Sequence, residues 1–570
     1  MNEIIDCIDE PNNTRIAKNL GISKVVLEGI FAHADKFVLR RLDYKIHNLN
    51  QLSHDESVDP VTRASVSVQK FGKLGESEVI TPKHICKDMI DLIDDAELRT
   101  VIDNGNKVLD IAGKAGEFAL AVFEKYIALG YDKDTLKDAI YTIPTSGIAY
   151  EFTRMIYEIL DLNVDNIASK FNSYSLLRVK NNDAIDYTKI SALLKQNKPF
   201  NTITMDDEIS EGDDIVNFSV VVGNPPYQEE SKNKSNTNGQ APRTNIFHHF
   251  QIQAENLSSK ATALIFPGIR WIHQSGKGVK QFGKELINSP HLKKVIFYPN
   301  AKDVFDSADV QDGVSIVLTE QNMNYNEFTY EYIVSGGKQQ VLLEHPGEEL
   351  IQLNPNDIKI VEKIKSFVEK YKLGFLHDSI LPRSLFGIES DFAEKNQNRI
   401  KPFVDGQAMK PNEIKILTNN KAGSAGRSCW YVCDEDVIRS NTKYIKEWQV
   451  VVSSAHPGGQ DGRGNQIAII DNKSAFGRAR VALKSFETKT EAENFYKYAN
   501  CHLIKYAFLM SDEALSSLAK FVPDLMSYTP DNQIVDFSES TTAINDKLCE
   551  LCKLTSEEIN YIESKIKPTE

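Results

Sequence analysis

Disulfides, membrane spans and a basic surface are the features this sequence has least of. Seven cysteines in 570 residues are an odd and sparse set, which excludes a disulfide framework as the source of stability. Cys429 with Cys433, and Cys549 with Cys552, are the only close pairs. The first lies in an aromatic, strand-like stretch and the second on an expected helix, so no metal site is assigned. The longest apolar runs, such as Phe218-Ser-Val-Val-Val-Gly223, fall far short of the ~18 residues a membrane helix needs. The first residues, MNEIIDCIDE, lack the basic and then apolar layout of a secretory leader. A cytoplasmic protein without a membrane partner is the expectation. With 66 Lys+Arg against 80 Asp+Glu the net charge is −14, which excludes a protein that coats nucleic acid over its whole surface but permits a local basic face.

What is present is ordinary globular material, 41% hydrophobic and 26% charged, in a chain too long for one core. We expect a helical segment over 1–67, a catalytic domain over 68–335, a recognition region over 336–540 and a C-terminal helix over 541–570. Strands and helices alternate between about 70 and 330. Lys107–Ala112, Ala139–Ile143, Ser219–Val222, Ala263–Phe266, Lys294–Tyr298 and Val314–Leu318 read as strands, with helices over Glu117–Leu129 and Ile148–Leu160 between them. Such alternation predicts an α/β, doubly wound, largely parallel sheet. Ligands on these sheets bind beyond the carboxyl ends of the strands, so chemistry is sought in the turns there. The acidic run Asp206-Asp-Glu208 with Glu211, Asp213 and Asp214 reads as a solvated loop, and 229–244 as a long polar loop. Thr555-Ser-Glu-Glu558 is a capping box opening the last helix.

One turn stands out. The strand Phe218–Gly223 ends in Asn224-Pro225-Pro226-Tyr227. Two prolines stiffen this corner and remove backbone donors, leaving carbonyls as rigid acceptors. An Asn side-chain oxygen and a proline carbonyl can together hold an exocyclic amino group by its two hydrogens. The lone pair of such an amine is delocalised into its ring. Two acceptors draw the nitrogen toward tetrahedral geometry and free the pair for attack on an electrophilic methyl, so the catalysis needed is placement and dipole. Tyr227 offers an aromatic face for stacking. The reading requires a cavity running from this corner to the glycine bend near Gly116.

The corner, together with the segments Gly75–Pro82 and Val108-Leu-Asp-Ile-Ala-Gly-Lys-Ala-Gly-Glu-Phe118 before it, resembles the gamma-class DNA amino-methyltransferases, and within them the adenine-N6 methylases of restriction–modification systems. The resemblance covers about residues 68–330. It implies a Rossmann-like sheet that binds S-adenosylmethionine and transfers its methyl group to N6 of an adenine flipped out of duplex DNA. Residue by residue it implies Asn224, Pro225, Pro226 and Tyr227 as the catalytic corner, with Phe305 of Asp303-Val-Phe305 on the other face of the base. It implies Thr81, Asp110, Ala112, Gly116 and Phe118 at the cofactor, and Asp183 as a candidate for the cofactor's adenine amine, with Asn172-Ser-Tyr174 as the alternative by strand spacing. Two departures stand against the family pattern. Lys114 replaces the first glycine of the bend, and Tyr141-Thr-Ile-Pro-Thr-Ser-Gly147 offers no carboxylate for the ribose, leaving Thr145 or Ser146. A degenerate, DNA-binding subunit of a defence complex is therefore the alternative function. RNA, a protein amide or cytosine N4 remain alternative substrates of the same corner.

Extrusion of a base costs a few kcal/mol, offset in part by stacking. Sequence choice is expected beyond about residue 370, where residues 371–490 carry 18 Lys+Arg against 13 Asp+Glu. Arg383, Arg399, Lys421, Arg427, Arg463, Arg478 and Arg480 are the DNA-binding candidates there. A nuclease constellation and a P-loop are not evident, so a cleaving partner, endonuclease or helicase, would be a separate polypeptide.

Overall fold

The computed structural model describes residues 48, 51–52, 54–69, 73–75, 78–209, 215–230, 243–274, 278–305, 310–334, 337–347, 351–423, 426–459, 464–510 and 518–566. Most of the helical segment expected over 1–67, the greater part of the polar loop 229–244, and Arg463 lie outside the described residues. The chain divides into two compact units, Met1–Ile351 and Gln352–Glu570. Among the described residues, no helix is long and apolar enough to cross a membrane.

The first unit is built on an eight-stranded sheet. In chain order its strands are β1 (Lys107–Gly113), β2 (Ile140–Pro144), β3 (Phe218–Gly223), β4 (Ala261–Pro267), β5 (Leu292–Tyr298), β6 (Val314–Glu320), β7 (Glu327–Val334) and β8 (Gly337–Glu344). Across the sheet the order is β8-β7-β5-β6-β4-β3-β1-β2. Strands β2, β1, β3 and β4 are parallel, and β6 runs antiparallel between β4 and β5. All six strands expected from the sequence are present, and the doubly wound, Rossmann-like fold is the one observed. The antiparallel pair β7–β8 extends the sheet, with Glu327 opposite Glu344 and Val334 opposite Gly337.

Burial explains the strands. Every residue of β3 is buried, as expected for a β-branched run covered on both faces. Alternate residues serve opposite layers. Val220 and Val222 join a core with Phe118, Leu120 and Ile156 from the helices Glu117–Ala128 and Gly147–Leu160. On the other face Phe247 of the helix Phe247–Leu257 stacks on Phe266 of β4 at 5.1 Å. The chain passes from β1 out to β2 and then back across β1 to β3, so the strand order reverses between β1 and β3. On such sheets ligands bind beyond the carboxyl ends of the strands at that reversal, where Gly113 and Gly223 lie.

The second unit holds two antiparallel-rich sheets. One contains β9 (Ile400–Pro402), β10 (Glu413–Asn419), β11 (Ser428–Asp434) and β14 (Ser474–Phe476); the other contains β12 (Trp448–Ser453), β13 (Ala468–Ile470) and β15 (Arg480–Phe486). Helices Pro355–Lys370, Lys489–Ala499 and His502–Leu509 pack on the second sheet through an apolar core. Two helices, Thr541–Leu551 and Ser556–Lys565, close this unit in place of the single helix expected over 541–570. Thr555 and Glu558 form the capping box read from the sequence. Cys549 and Cys552 are buried with Cys501 in that core, while Cys429 and Cys433 sit four apart on β11.

Candidate active site between the first and third strands

The bend after β1 is shaped by what it must avoid. Gly116 takes a left-handed backbone (φ +75°), and a Cβ there would meet Ile156 Cβ at 2.9 Å. At Gly113 a Cβ would meet Thr142 Cγ2 at 2.4 Å and Asp110 Oδ2 at 2.9 Å. Gly223 (φ +150°), on the strand opposite, would bring its Cβ to 3.1 Å from Asp110 Oδ1. The two last-named glycines therefore leave a slot for the Asp110 carboxylate between the bend and the corner. Oδ1 accepts from the Ala112 amide at 3.0 Å, whereas Oδ2 is buried without a partner. Burial, and then the neighbouring Glu117 carboxylate, push the Asp110 carboxyl well above its ordinary range.

Glu117 is the element the sequence reading missed. It opens the helix directly after left-handed Gly116, is buried, and accepts from the Ala115 amide at 2.7 Å and the Thr81 amide at 3.4 Å. The signal was an acid in the first turn, where a helix N-terminus favours negative charge.

At the corner, Asn224, Pro225 and Pro226 are buried. Asn224 Nδ2 donates to Thr81 Oγ1 at 3.1 Å and to the Val79 carbonyl at 3.4 Å. A carbonyl can only accept, so the amide NH2 must face Val79 and Thr81, which fixes Oδ1 on the opposite side as an acceptor. Thr81, expected at the cofactor, is fully buried and is committed to the Asn224 amide. The Tyr227 ring is half-buried; its hydroxyl is enclosed without a partner, and burial raises the phenol far above its usual range.

Lys114 reaches from the bend to the corner. Its side chain is 2% exposed, and Nζ donates to the Asn224 backbone carbonyl at 2.5 Å. Asn224, itself only 3% exposed, is thus covered by Thr81 and Lys114. An ammonium from the bend thus satisfies one of the corner's own acceptors.

The remaining candidates separate. Ala112 is buried beside Asp110. Phe118 is fully buried in the helix-side core, so its role in this arrangement is packing. Phe305 is 1% exposed in the same core, with no open face for stacking. Asp183 sits exposed at the tip of a two-residue hairpin turn, where Asn182 (φ 47°) and Asp183 (φ 67°) both take left-handed backbone. Asn and Asp are chosen there for the turn. Ser173, from the alternative segment, instead reaches the strand ends, where its Oγ donates to the Ile111 carbonyl at 2.9 Å. Of the ribose alternatives, Ser146 caps the helix Gly147–Leu160 and Thr145 is buried, its amide bonded to the Gly113 carbonyl.

In the second unit the basic candidates have different partners. Arg383 bonds the Arg478 carbonyl and Ser454 Oγ, and Arg480 bonds the Gln466 carbonyl. Arg478 is paired with Glu389 at 2.8 Å and Arg399 with Asp436 at 3.0 Å, both pairs exposed. Lys421 and Arg427 lie exposed in the turn between β10 and β11.

Residues 138–305 match the model of the Eco57I restriction-modification methylase family. The match takes in β2 and the Asn224 corner and begins after the bend that carries Lys114. An uncharacterized adenine-specific methylase of Mycoplasma pneumoniae is 26% identical over 108 residues, which cover 19% of this chain and 25% of that relative. The chain therefore spans a quarter of the length of the curated relative it matches. Among solved structures, the type ISP restriction-modification enzyme LlaBIII bound to DNA superposes over 91% of this chain and 44% of its own, at 11% identity and TM-score 0.39. The type IIL enzyme MmeI in complex with DNA does so over 90% and 80%, at 10% and 0.37. A modification subunit of a putative type I restriction enzyme from Vibrio vulnificus covers 46% and 49%, at 16% and 0.32. The resemblance read from the corner motif stands: over residues 138–305 this chain is similar to the Eco57I restriction-modification methylases.

Proposed function

We propose that this chain is an S-adenosylmethionine-dependent DNA methyltransferase acting on N6 of an adenine extruded from duplex DNA, as the modification component of a restriction–modification system. The observation that carries the reading is the fixed amide of Asn224. With Nδ2 held by Thr81 Oγ1 and the Val79 carbonyl, Oδ1 is preset as an acceptor without reorganisation during reaction, which is where electrostatic catalysis gains most.

The bend suits a cationic cofactor. S-adenosylmethionine is positive at its sulfonium and its α-ammonium, and the unpartnered Asp110 Oδ2 beside buried Glu117 is an acceptor set that favours positive charge. Asp110 and Glu117 would hold the group, with Ala112 and Gly116 shaping the wall. When bound, it supplies the electrophilic methyl. The chain's own part is to bind, orient and exclude water. Asn224 Oδ1 and the Pro225 carbonyl accept the two amine hydrogens, and Tyr227 stacks on the base. The proton released on methylation then leaves from an amine whose acidity the transferred methyl has raised, so a strong general base is not required.

Duplex DNA as substrate is supported by the match to restriction–modification methylases, and exposed Arg383, which bonds the Arg478 carbonyl, is a basic group for it in the second unit. Such a methylase would work beside a separate endonuclease or helicase subunit. Transfer of tritiated methyl into duplex DNA tests the reading: incorporation into adenine is expected from the wild type and background from Asn224→Ala. A second reading, a DNA-binding subunit without transferase activity, is favoured by one observation, the Lys114 ammonium between bend and corner. Titration calorimetry with S-adenosylmethionine separates the two, since saturable heat removes the second.

A further inference from the structure

We propose that Lys114 is an internal competitor for the cofactor: its ammonium closes the space between the glycine bend and the Asn224 corner, and the cofactor binds only after that side chain swings out. The inference rests on the cofactor reading above and adds a step to it.

Three observations lead there. The side chain starts on the bend after β1, is buried and ends on the Asn224 carbonyl at the end of β3, so it bridges bend and corner at the point where the strand order reverses. Its charge lies among the buried carboxylates of Asp110 and Glu117, the same groups that suit a cationic ligand. The Lys114 ammonium already acts electrostatically on Asp110, and a second cation brought beside it meets like charge at low effective dielectric. Finally, the side chain is able to yield. Gly113 and Gly116 lie so close to Thr142, Asp110 and Ile156 that neither has room for a Cβ, while a four-carbon lysine stem has rotamers in reserve.

The competition is the same in kind as that between two ligands for one site. The affinity measured for the wild-type chain is lowered by the fraction of time Lys114 spends bridging bend and corner. Lys114→Gly removes both stem and charge. Lys114→Met keeps most of the stem and removes the ammonium.

Calorimetric titration of the full chain with S-adenosylmethionine is the test. Lys114→Gly is expected to bind at least about 10-fold more tightly than the wild type, with Lys114→Met between them, because the tax on the competent state is lifted. Equal or weaker binding by Lys114→Gly overturns the proposal. If that equality comes with Asn224-dependent methyl transfer, the methylase reading survives and only the competitor is lost. If no variant gives heat and none transfers methyl, the reading falls with it.

Removing a buried cation leaves Asp110 and Glu117 less compensated, so a second measurement uses the wild-type chain alone. Pulse acetylation with acetic anhydride followed by peptide mass spectrometry reports the exposure of each lysine amine. Lys114 is expected to be protected without cofactor and to become several-fold more reactive at saturating S-adenosylmethionine. An unchanged Lys114 rate overturns the proposal.

Discussion

Replacing Thr81 by valine separates the orienting bond at Asn224 from everything else the residue does. The substitution is nearly isosteric, keeps the backbone amide that donates to Glu117, and deletes only the Oγ1 that accepts from Asn224 Nδ2 at 3.1 Å. Thr81 is fully buried, so water does not replace the lost acceptor, and Nδ2 keeps only the Val79 carbonyl at 3.4 Å. A buried hydrogen bond contributes about 1 kcal/mol net, and a donor left poorly paired costs about 1–3 kcal/mol. We therefore expect urea unfolding to report a loss of about 1–2 kcal/mol. The same energy no longer holds Oδ1 toward the amine, so methyl transfer should fall about 5- to 30-fold in kcat/KM, at about tenfold per 1.4 kcal/mol. Thr81→Ser restores the oxygen and should recover most of both. Transfer by Thr81→Val at the wild-type rate, or a serine variant no better than valine, would refute the claim that this bond positions Asn224.

Other outcomes follow from the same geometry. Gly116→Ala places a Cβ on a left-handed residue against Ile156, and thermal unfolding should show a loss of at least about 1–2 kcal/mol. Asp110 has its folded pKa raised by burial and by Glu117, so its ionisation opposes folding at pH values above that pKa. Stability from this group is full below about pH 4, its unfolded value, and declines as pH rises toward the folded value. Asp110→Asn should accordingly raise the urea midpoint at pH 8, with the gain shrinking as the pH approaches 4; a gain independent of pH would contradict the assignment. Arg383→Ala should weaken duplex DNA binding similarly across sequences and reduce the slope of log affinity against log salt by about 1 if the side chain meets a phosphate, read by fluorescence anisotropy.

The parallel strands and the corner were legible because their signals are local. A run of Val between Phe218 and Gly223 has no other stable use than a strand covered on both faces, and two adjacent prolines can only end it. Asn182-Asp183 between two short extended segments is a local signal as well, that of a tight turn. The pairing of β7 with β8 was not legible, because strand pairing is a fact that composition does not carry. Lys114 could be seen as a departure, but not its destination: whether a long side chain turns outward or inward depends on which carbonyl lies opposite, and that carbonyl is 110 residues away in sequence. Phe305 is similar, since an aromatic before a strand looks the same in sequence whether it faces the core or a ligand.

The account stands or falls on the acceptor at residue 224. Duplex DNA incubated with S-adenosylmethionine and either the wild-type chain or Asn224→Ala, then hydrolysed to nucleosides and quantified by mass spectrometry, gives the most direct test. The wild type should yield N6-methyldeoxyadenosine and the variant only background. Equal amounts from both, or a methyl group on any other atom, would contradict it.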